Sequence, residues 1–267
     1  MIERILDFEV ALERVACERV SEHPWGESFL CPSIPLIWDA SWVLITDPEL
    51  GAAQIAEIAD QVIGGAGMEH RTVLVRDLVV AWAPVPEFEA LGWDVERGAT
   101  MRWRGVPDRE PEVGVTEVGE DEIVGLRREL IAATLPPGGY DAGETIDQLL
   151  EWDRMLARAG GDRWFVARHE GEPAACCRLL AAGGVGQVED VGTLPRARER
   201  GLGRAITLAA ARASAADGNE ITYLGARADD WPRLMYEKLG FELIAEEVTF
   251  RRRPEGIGPA EGIGSAG

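Results

Sequence analysis

The most constraining feature of the sequence is a glycine-containing loop that joins a predicted strand to an alanine-rich helix. The loop reads PRARERGLGR over Pro195–Arg204, and the unbroken helical run continues to Ala216. Glycines let the backbone turn tightly, and unpaired N–H groups at the start of a helix attract anions. Three arginines add positive charge to the loop: Arg198, Arg200 and Arg204. The pattern predicts a phosphate site at a strand-to-helix junction.

Two common phosphate-binding motifs do not fit this loop. A dinucleotide-binding loop would require a third glycine three residues after Gly203, and Ile206 stands there. A Walker loop would require a lysine followed by serine or threonine, and the only lysine of the chain is Lys238. The residues of the loop alone therefore leave its phosphate ligand open.

The predicted elements around the loop alternate between strands and helices. Apolar periodicity and turn residues give the strand Val113–Val118, the helices Glu120–Ala133 and Glu144–Ala159, the strands Trp164–Arg168, Ala174–Leu180 and Gly186–Thr193, the helix Leu202–Ala216, the strand Ile221–Ala226, the helix Asp230–Leu239 and the strand Phe241–Arg251. The prolines and glycines of Pro136–Gly139 separate the first two helices. This order predicts a mixed α/β sheet with helices on its faces.

The chain is predicted to divide into two domains and a tail. Its 267 residues suit one large or two small domains, and the polar stretch GVPDREPEVG separates two segments that each look able to fold. We place the domains at residues 1–108 and 109–253. The tail, residues 254–267, has only two isoleucines to bury and is expected to be disordered.

Charge and targeting patterns exclude several classes of protein. The 47 acidic residues against 27 basic ones give a net charge of -20, which would repel nucleic acids and anionic membranes. No apolar run is long enough to span a membrane, and the first residues mix acids into their apolar pattern, so we expect a cytoplasmic protein. No metal site is expected, because the cysteines and histidines lack ligand spacing: Cys17, Cys31, Cys176, Cys177, His23, His70 and His169.

The loop and a later motif together resemble the GNAT superfamily of acyl-CoA-dependent N-acetyltransferases. The pattern RxxGxG, formed by Arg198, Gly201 and Gly203, is followed by a helix, a strand and then MYEKLGF over Met235–Phe241. The resemblance covers Val113 to about Arg252. It implies an α/β (α+β) fold with a GNAT-like mixed central sheet flanked by helices, and acetyl-CoA as the cosubstrate without a metal.

The resemblance implies a coenzyme A site along the strand and the loop. The backbone amides from Glu199 to Arg204 are expected to hold the pyrophosphate, and the strand Val191–Thr193 is expected to pair with pantetheine. The residues expected to bind the cofactor are Val191, Gly192, Thr193, Arg198, Glu199, Arg200, Gly201, Leu202, Gly203, Arg204 and Asp229. Asp229 stands where the family often has asparagine, which leaves that one polar contact open.

An acidic pair and a tyrosine are the expected catalytic groups. Glu189 and Asp190 lie where polyamine and amino-sugar acetyltransferases of the superfamily also show an acidic pair. An attacking amine must lose a proton, which a nearby carboxylate can take. Glu189 is the first choice for this base and Asp190 for binding the acceptor, although the assignment between them stays open. Strand alternation would send the two side chains to opposite faces unless a bulge intervenes. Tyr236 matches the family tyrosine that protonates the departing thiolate.

The first hundred residues echo the second half of the chain. The segment LGWDVERGATMRWRG from Leu91 resembles LGFELIAEEVTFRRR from Leu239. Before it lie a predicted strand, helix and strand, at Trp42–Thr46, Ala52–Ile63 and Arg71–Val75. No RxxGxG loop joins the first of these strands to the helix. We interpret residues 1–108 as a degenerate GNAT-like domain that does not bind coenzyme A, in the plan of tandem GNAT proteins.

The sequence thus favours an N-acetyltransferase that moves acetyl from acetyl-CoA to a primary amine by direct attack. The acceptor is expected to be a small molecule or a peptide amine, and no nucleic acid or membrane partner is expected. The alternative is a non-catalytic acyl-CoA-binding or sensory module, against which the presence of both Glu189 and Tyr236 argues. The sequence is compatible with a homodimer and leaves open whether the N-terminal half shapes the acceptor pocket.

Overall fold

The structure, a computed structural model, describes residues 1–135, 141–228, 232–254 and 256. The first half of the chain contains α1 (Ile2–Ala16), β1 (Arg19–His23), β2 (Gly26–Leu30), β3 (Trp42–Ile45), α2 (Ala52–Ala59), β4 (Arg71–Val75), α3 (Val85–Ala90) and β5 (Asp94–Trp103). The second half contains β6 (Val115–Val118), α4 (Glu120–Thr134), α5 (Ala142–Ala157), β7 (Arg163–His169), β8 (Glu172–Ala182), β9 (Val185–Thr193), α6 (Leu202–Ala216), β10 (Ile221–Arg227), α7 (Pro232–Lys238) and β11 (Phe241–Arg252).

The strands of the described residues form one continuous sheet. Their order across the sheet is β1-β2-β3-β4-β11-β5-β10-β9-β8-β7-β6. Neighbouring strands are antiparallel except for β3 with β4 and β9 with β10, which are parallel. Each parallel pair is connected through a helix, α2 or α6, because parallel neighbours require a crossover. The mixed α/β sheet with flanking helices predicted from the sequence is confirmed.

The two halves exchange their last strands. β5 of the first half lies between β10 and β11, and β11 of the second half lies between β4 and β5. β5 and β11 run antiparallel, with Asp94 opposite Arg251 and Trp103 opposite Phe241. The two repeated segments are therefore neighbours in the sheet. The proposed boundary after residue 108 falls between β5 and β6, and the division into two domains remains a proposal within this shared sheet.

Apolar stripes on the helices decide where they pack. Leu202 and Ile206 of α6 lie in the core of the second half, and the buried alanines Ala210 and Ala211 let the helix lie close to the strands. α1 packs Ile5, Phe8 and Leu12 against strands of the second half. The sequence analysis contains no prediction for α1, although its buried residues Ile5, Phe8, Leu12 and Ala16 recur at helical spacing. Burial of this stripe stabilises the helix.

The predicted elements after residue 112 are confirmed, with ends that differ by two residues or fewer. The helix Leu202–Ala216 has the predicted bounds. Three predictions fall on positions outside the described residues: the break at Pro136–Gly139, the start of the last helix at Asp230, and the tail apart from Pro254 and Gly256.

We expect the exchanged strand β11 to tie the stability of the two halves together. Phe250 of β11 is fully buried in the core of the first half and stacks on Phe88 at 4.0 Å between ring centroids. Phe250→Ala should lower the free energy of unfolding by about 3–5 kcal/mol, because it leaves a cavity. Urea unfolding followed by tryptophan fluorescence and by circular dichroism should show one coincident transition.

The matched control is Leu243→Ala on the same strand, where the side chain is exposed. It should change the unfolding free energy by less than about 0.5 kcal/mol. Separate transitions for the two halves would contradict the coupling through β11.

Candidate functional site

The candidate site lies where β9 and β10 separate. The two strands pair over three positions only, the last being Tyr223 opposite Gln187. Beyond that point β9 continues along β8 to Thr193, and β10 continues along β5 to Arg227. The facing edges of 188–193 and 224–227 form no ladder with each other in the described structure. The sheet thus opens into a wedge whose edges carry backbone groups that a ligand can pair with.

A β-bulge in β9 lies at this wedge. Asp190 has a positive φ of 53°, and the register with β8 shifts between the pair Arg178–Glu189 and the pair Cys176–Gly192. The extra residue on β9 bends the strand. Glu189 and Asp190 consequently line the same cavity, which strict alternation would not allow. The structure therefore contains the bulge that both acidic residues need in order to line one cavity.

A cavity of about 600 Å³ extends from the wedge, and both halves of the chain line it. The second half contributes Glu189, Asp190, Thr193, Arg198 and Tyr236, among others. The first half contributes side chains from α1, β3, β4 and β5, and the exchanged strand β11 adds Glu247 and Arg251. The cavity is thus a shared feature of the whole chain.

The loop before α6 presents backbone N–H groups. Glu199 and Gly201 both have left-handed backbone conformations, with φ of 62° and 78°. No side chain caps α6, and its first main-chain bond runs from the N–H of Ala205 to the carbonyl of Gly201 at 3.0 Å. The amides of residues 202–204 precede that bond and have no acceptor within the helix. Such a turn at a helix start is a site for an anion.

The loop is joined closely to the wedge. The Nε atom of Arg198 donates to the carbonyl of Thr193, the last residue of β9, at 3.3 Å. A Cβ atom on Gly203 would lie 3.3 Å from the Thr193 hydroxyl oxygen, so the start of α6 approaches the strand tightly. The wedge and the loop therefore form one continuous surface.

The predicted cofactor-binding residues divide by exposure. Four of them are exposed on the loop: Arg198, Glu199, Arg200 and Gly201. Gly203 is half-buried, and four others are buried along β9 and at the start of α6: Val191, Gly192, Thr193 and Leu202. The side chain of Leu202 packs in the core, which leaves its backbone amide for the expected role. Asp229 lies outside the described residues.

Arg204 differs from the other loop arginines. Its side chain is only 7% exposed and pairs with the carboxylate of Asp108, and it also donates to the carbonyl of Arg109 at 2.7 Å. The guanidinium therefore anchors the segment between the two halves instead of adding charge to the loop. Only the backbone amide of Arg204 remains available for the expected pyrophosphate contact.

Glu189 carries the perturbed carboxyl group of the acidic pair. The amide Nε2 of Gln187 donates to its Oε1 at 2.6 Å. Burial and, after it, the negative charge of Asp190 raise the pKa of Glu189 to about 7. Asp190 instead forms an ion pair with Arg127 at 2.9 Å. A carboxyl group that titrates near neutral pH is well suited to proton transfer.

Tyr236 lies in the wall of the same cavity. It stands on the short helix α7, is 1% exposed, and meets Phe241 edge to face at 6.1 Å between ring centroids. The packing fixes the ring, and its phenol O–H is a hydrogen-bond donor. The structure thus brings both predicted catalytic side chains to one cavity.

Three further acids in the cavity wall are not predicted by the sequence patterns. Glu9 accepts a hydrogen bond from the Tyr223 hydroxyl at 2.9 Å, and Glu13 accepts one from the Cys17 thiol at 3.3 Å. Glu247 accepts one from Thr100. Burial raises the pKa of all three carboxyl groups, that of Glu13 to about 8. The spacing of Glu9 and Glu13 by four residues within an apolar stripe is the signal that could have identified them.

Eight acidic side chains and six arginines line the cavity. Arg127 pairs with Asp153 and Asp190, and Arg251 pairs with Asp39 and Glu96. The remaining four carboxyl groups, those of Glu9, Glu13, Glu189 and Glu247, form no ion pair with an arginine of the described residues. A cationic ligand placed among these four groups would favour their ionised forms.

The first half has no counterpart of the wedge. β3 and β4 stay paired to their last residues, Ile45 opposite Val75. At the start of α2, the N–H of Ala52 donates to a carboxylate oxygen of Glu87 at 3.4 Å. A protein carboxylate thus lies where an anionic ligand would bind. That this half binds no coenzyme A stays a prediction.

The described residues contain no group of three or more histidine, cysteine or acidic side chains arranged to hold a metal ion. Nor does any helix in the described ranges have the length and apolar character needed to cross a bilayer.

Comparisons with known proteins identify the domain and the fold. Residues 160–243 match the model of an acetyltransferase (GNAT) domain, and this range includes the bulge, the loop and Tyr236. No curated protein matches the chain by sequence. Many solved structures match it, however, with identities that support the fold alone.

Three of these structures cover nearly the whole chain. A conserved protein of unknown function from Staphylococcus epidermidis has a TM-score of 0.68 and 12% identity over 90% of this chain and 95% of its own. A GCN5-related N-acetyltransferase from Kribbella flavida has a TM-score of 0.64 and 20% identity over 95% of each chain. A tandem GNAT protein from the clavulanic acid biosynthesis pathway has a TM-score of 0.54 and 14% identity over 94% and 88%. The predicted GNAT-like tandem fold is confirmed.

We expect the left-handed turn at Gly201 to be required for coenzyme A binding. Gly201→Ala would place a side chain at a positive φ, which costs about 1–2 kcal/mol in that conformation and would reorient the loop amides. Calorimetric titration with coenzyme A should show binding weakened by about tenfold or more.

Gly218→Ala is the matched control, because Gly218 follows the other end of α6 with φ of 85° and equal room for a Cβ atom. Gly218→Ala should lower the free energy of unfolding by a similar amount and leave the affinity for coenzyme A unchanged. Equal affinities of the two variants would contradict a role for the loop amides.

Proposed function

Because residues 160–243 carry a GNAT acetyltransferase domain, we propose that this protein transfers acetyl from acetyl-CoA to a primary amine by direct attack. The observation that carries the proposal is the wedge between β9 and β10, which opens into the cavity that Glu189 and Tyr236 both line. The left-handed loop at the start of α6 lies beside the same wedge.

The residues around the wedge fit coenzyme A. The uncapped amides of residues 199–204 would hold the pyrophosphate, and the exposed Arg198 and Arg200 would add positive charge. The free edge of β9 at 191–193 would pair with the amides of pantetheine. When bound, acetyl-CoA supplies an activated thioester. A side chain at Gly203 would crowd the Thr193 hydroxyl, because a Cβ atom there would lie 3.3 Å from its oxygen.

Two side chains move protons in the proposed reaction. Glu189 takes the proton of the attacking amine as the new carbon–nitrogen bond forms, directly or through one water molecule. Tyr236 donates its phenolic proton to the sulfur as the carbon–sulfur bond breaks. Asp190, held by its ion pair on the bulge, contributes negative charge for binding the acceptor.

The acceptor is an amine that reaches the cavity in its protonated form. The four wall carboxyl groups without an arginine partner among the described residues would ionise beside a cationic amine and hold it by their charge. The acidic cavity does not suit an acceptor that is itself rich in phosphate or carboxylate. A small cationic amine or the amino terminus of a peptide fits these requirements.

The experiment that tests the proposal measures thiol release from acetyl-CoA with a panel of acceptors. The panel contains monoamines, diamines, amino sugars, amino acids and short peptides, and coenzyme A binding is measured in parallel by calorimetry. Release that depends on an amine supports the acetyltransferase. Tight binding of coenzyme A without release from any amine contradicts it and supports the non-catalytic acyl-CoA-binding module.

Glu189→Gln is expected to remove a titration from the pH profile. Wild-type kcat/KM should rise through pH 7, because the carboxyl group whose pKa is about 7 must be ionised to accept the proton. The variant should be about 100-fold slower at pH 7 and approach the wild-type rate at high pH, where the amine loses its own proton. A loss that is equal at every pH would indicate a binding role instead.

Tyr236→Phe is expected to reduce turnover with little change in cofactor binding. The substitution removes one oxygen from a buried ring and leaves its packing on Phe241 in place. The turnover number should fall by about 10- to 100-fold, in the range of lost acid catalysis. Coenzyme A affinity, measured by calorimetry, serves as the internal control, and an unchanged turnover number would refute the acid role.

A further inference from the structure

A buried network of charged side chains contacts the bulge of β9. Arg127 of α4 is 8% exposed, and its guanidinium donates to both carboxylate oxygens of Asp153 on α5, at 2.9 and 3.0 Å. The same Nη2 atom lies 2.9 Å from Oδ1 of Asp190. Its Cζ atom lies 5.2 Å from the centroid of the Trp164 ring, which restricts the guanidinium further. One arginine thus connects two helices to the bulged strand.

We propose that Arg127 is a positioning residue whose ion pair holds Asp190, so that Glu189 acts as the base. This proposal rests on the acetyl transfer proposed above. This assignment separates the two members of the acidic pair. It is independent of the family match, because Arg127 and Asp153 lie outside the matched residues 160–243.

The backbone at Asp190 has a left-handed conformation. Asp190 is one of three described residues other than glycine with a positive φ, a conformation that costs about 1–2 kcal/mol for an L-residue. An ion pair to a buried guanidinium can offset that cost. Arg127 therefore stabilises the bulge that turns both acids toward the cavity.

Charge distinguishes Glu189 from Asp190. Asp190 pairs with Arg127, whereas Glu189 has, among the described residues, only a neutral donor, Gln187, at hydrogen-bond distance. The charged groups that act on Glu189 are Asp190 on its own strand, Arg178 on β8, Asp153 on α5, Asp39 before β3 and Glu9 on α1. Burial and the excess of acids over the one arginine raise the pKa of Glu189 to about 7, which suits it to take the proton of the amine.

The test compares three arginine variants in the full-length protein. Arg127→Met removes the cation, Arg127→Lys restores it, and Arg128→Met is the matched control on the next residue of α4, where the exposed side chain pairs with Asp147. The measurements are the pH profile of kcat/KM and coenzyme A affinity. Each variant is first shown to be folded by circular dichroism.

Arg127→Met should move the rise of kcat/KM to higher pH by about one unit, because Asp190 loses its cation and Asp153 keeps, among the described arginines, only Arg178 at 3.8 Å, so their charge repels that on Glu189. It should also lower kcat by at least about tenfold while coenzyme A affinity stays unchanged. Arg127→Lys should recover most of the pH profile. Equal profiles of the Arg127→Met and Arg128→Met variants would overturn the proposal.

Asp190→Asn tests the same assignment without removing the buried arginine. Loss of its negative charge should lower the pKa of Glu189, so the rise of kcat/KM should move to lower pH by about one unit. If the rise disappears instead, Asp190 is the base and the proposal is wrong.

A direct readout separates failure of this proposal from failure of the acetyl transfer. Carboxyl-carbon NMR of glutamate-labelled protein, assigned by comparison with Glu189→Gln, follows the titration of Glu189 without turnover. If thiol release depends on an amine while neither Arg127→Met nor Asp190→Asn shifts the titration of Glu189, that result would overturn the positioning role alone. Absence of thiol release with every amine would overturn the acetyl transfer and this role with it.

Discussion

The parallel pairing of β9 with β10 ends after three positions, and the rest of the site depends on that early end. Neither strand is left without support beyond it, because β9 keeps its ladder to β8 and β10 keeps its ladder to the exchanged strand β5. A sheet that divides in this way can open a cavity in its middle while each strand retains one paired edge. The bulge at Asp190 and the loop before α6 both lie along the side formed by β9.

The exchange of strands also explains how a degenerate half remains part of the site. β5 supports β10 from the far side of the wedge, and α1 covers the neighbouring strands through Phe8 and Leu12. The same helix brings Glu9 and Glu13 to the cavity wall. The first half thus contributes architecture and charge to a cavity whose predicted cofactor residues all belong to the second half.

The elements that local pattern determines could be predicted, and the features that depend on distant contacts could not. The bounds of α6 follow from an alanine-rich run between a glycine loop and the pair Asp217–Gly218. The bulge has no such signal, because VEDVGT reads as a regular strand and its irregular residue is an aspartate. The role of Arg204 depends on Asp108, which lies far away in the sequence. The exchange of β5 and β11 is a property of the sheet order, which periodicity does not encode.

The shared sheet also has a consequence for how the chain folds during synthesis. The core of the first half contains Val248 and Phe250, which belong to β11, the last strand. That core can be completed only after the whole segment from β5 to β11 has been synthesised. Pairings of such high sequence separation close slowly, and until they close the partner edges of β4 and β5 stay open. Open strand edges of this kind can pair with other chains, so the newly made first half is exposed to association until β11 covers it.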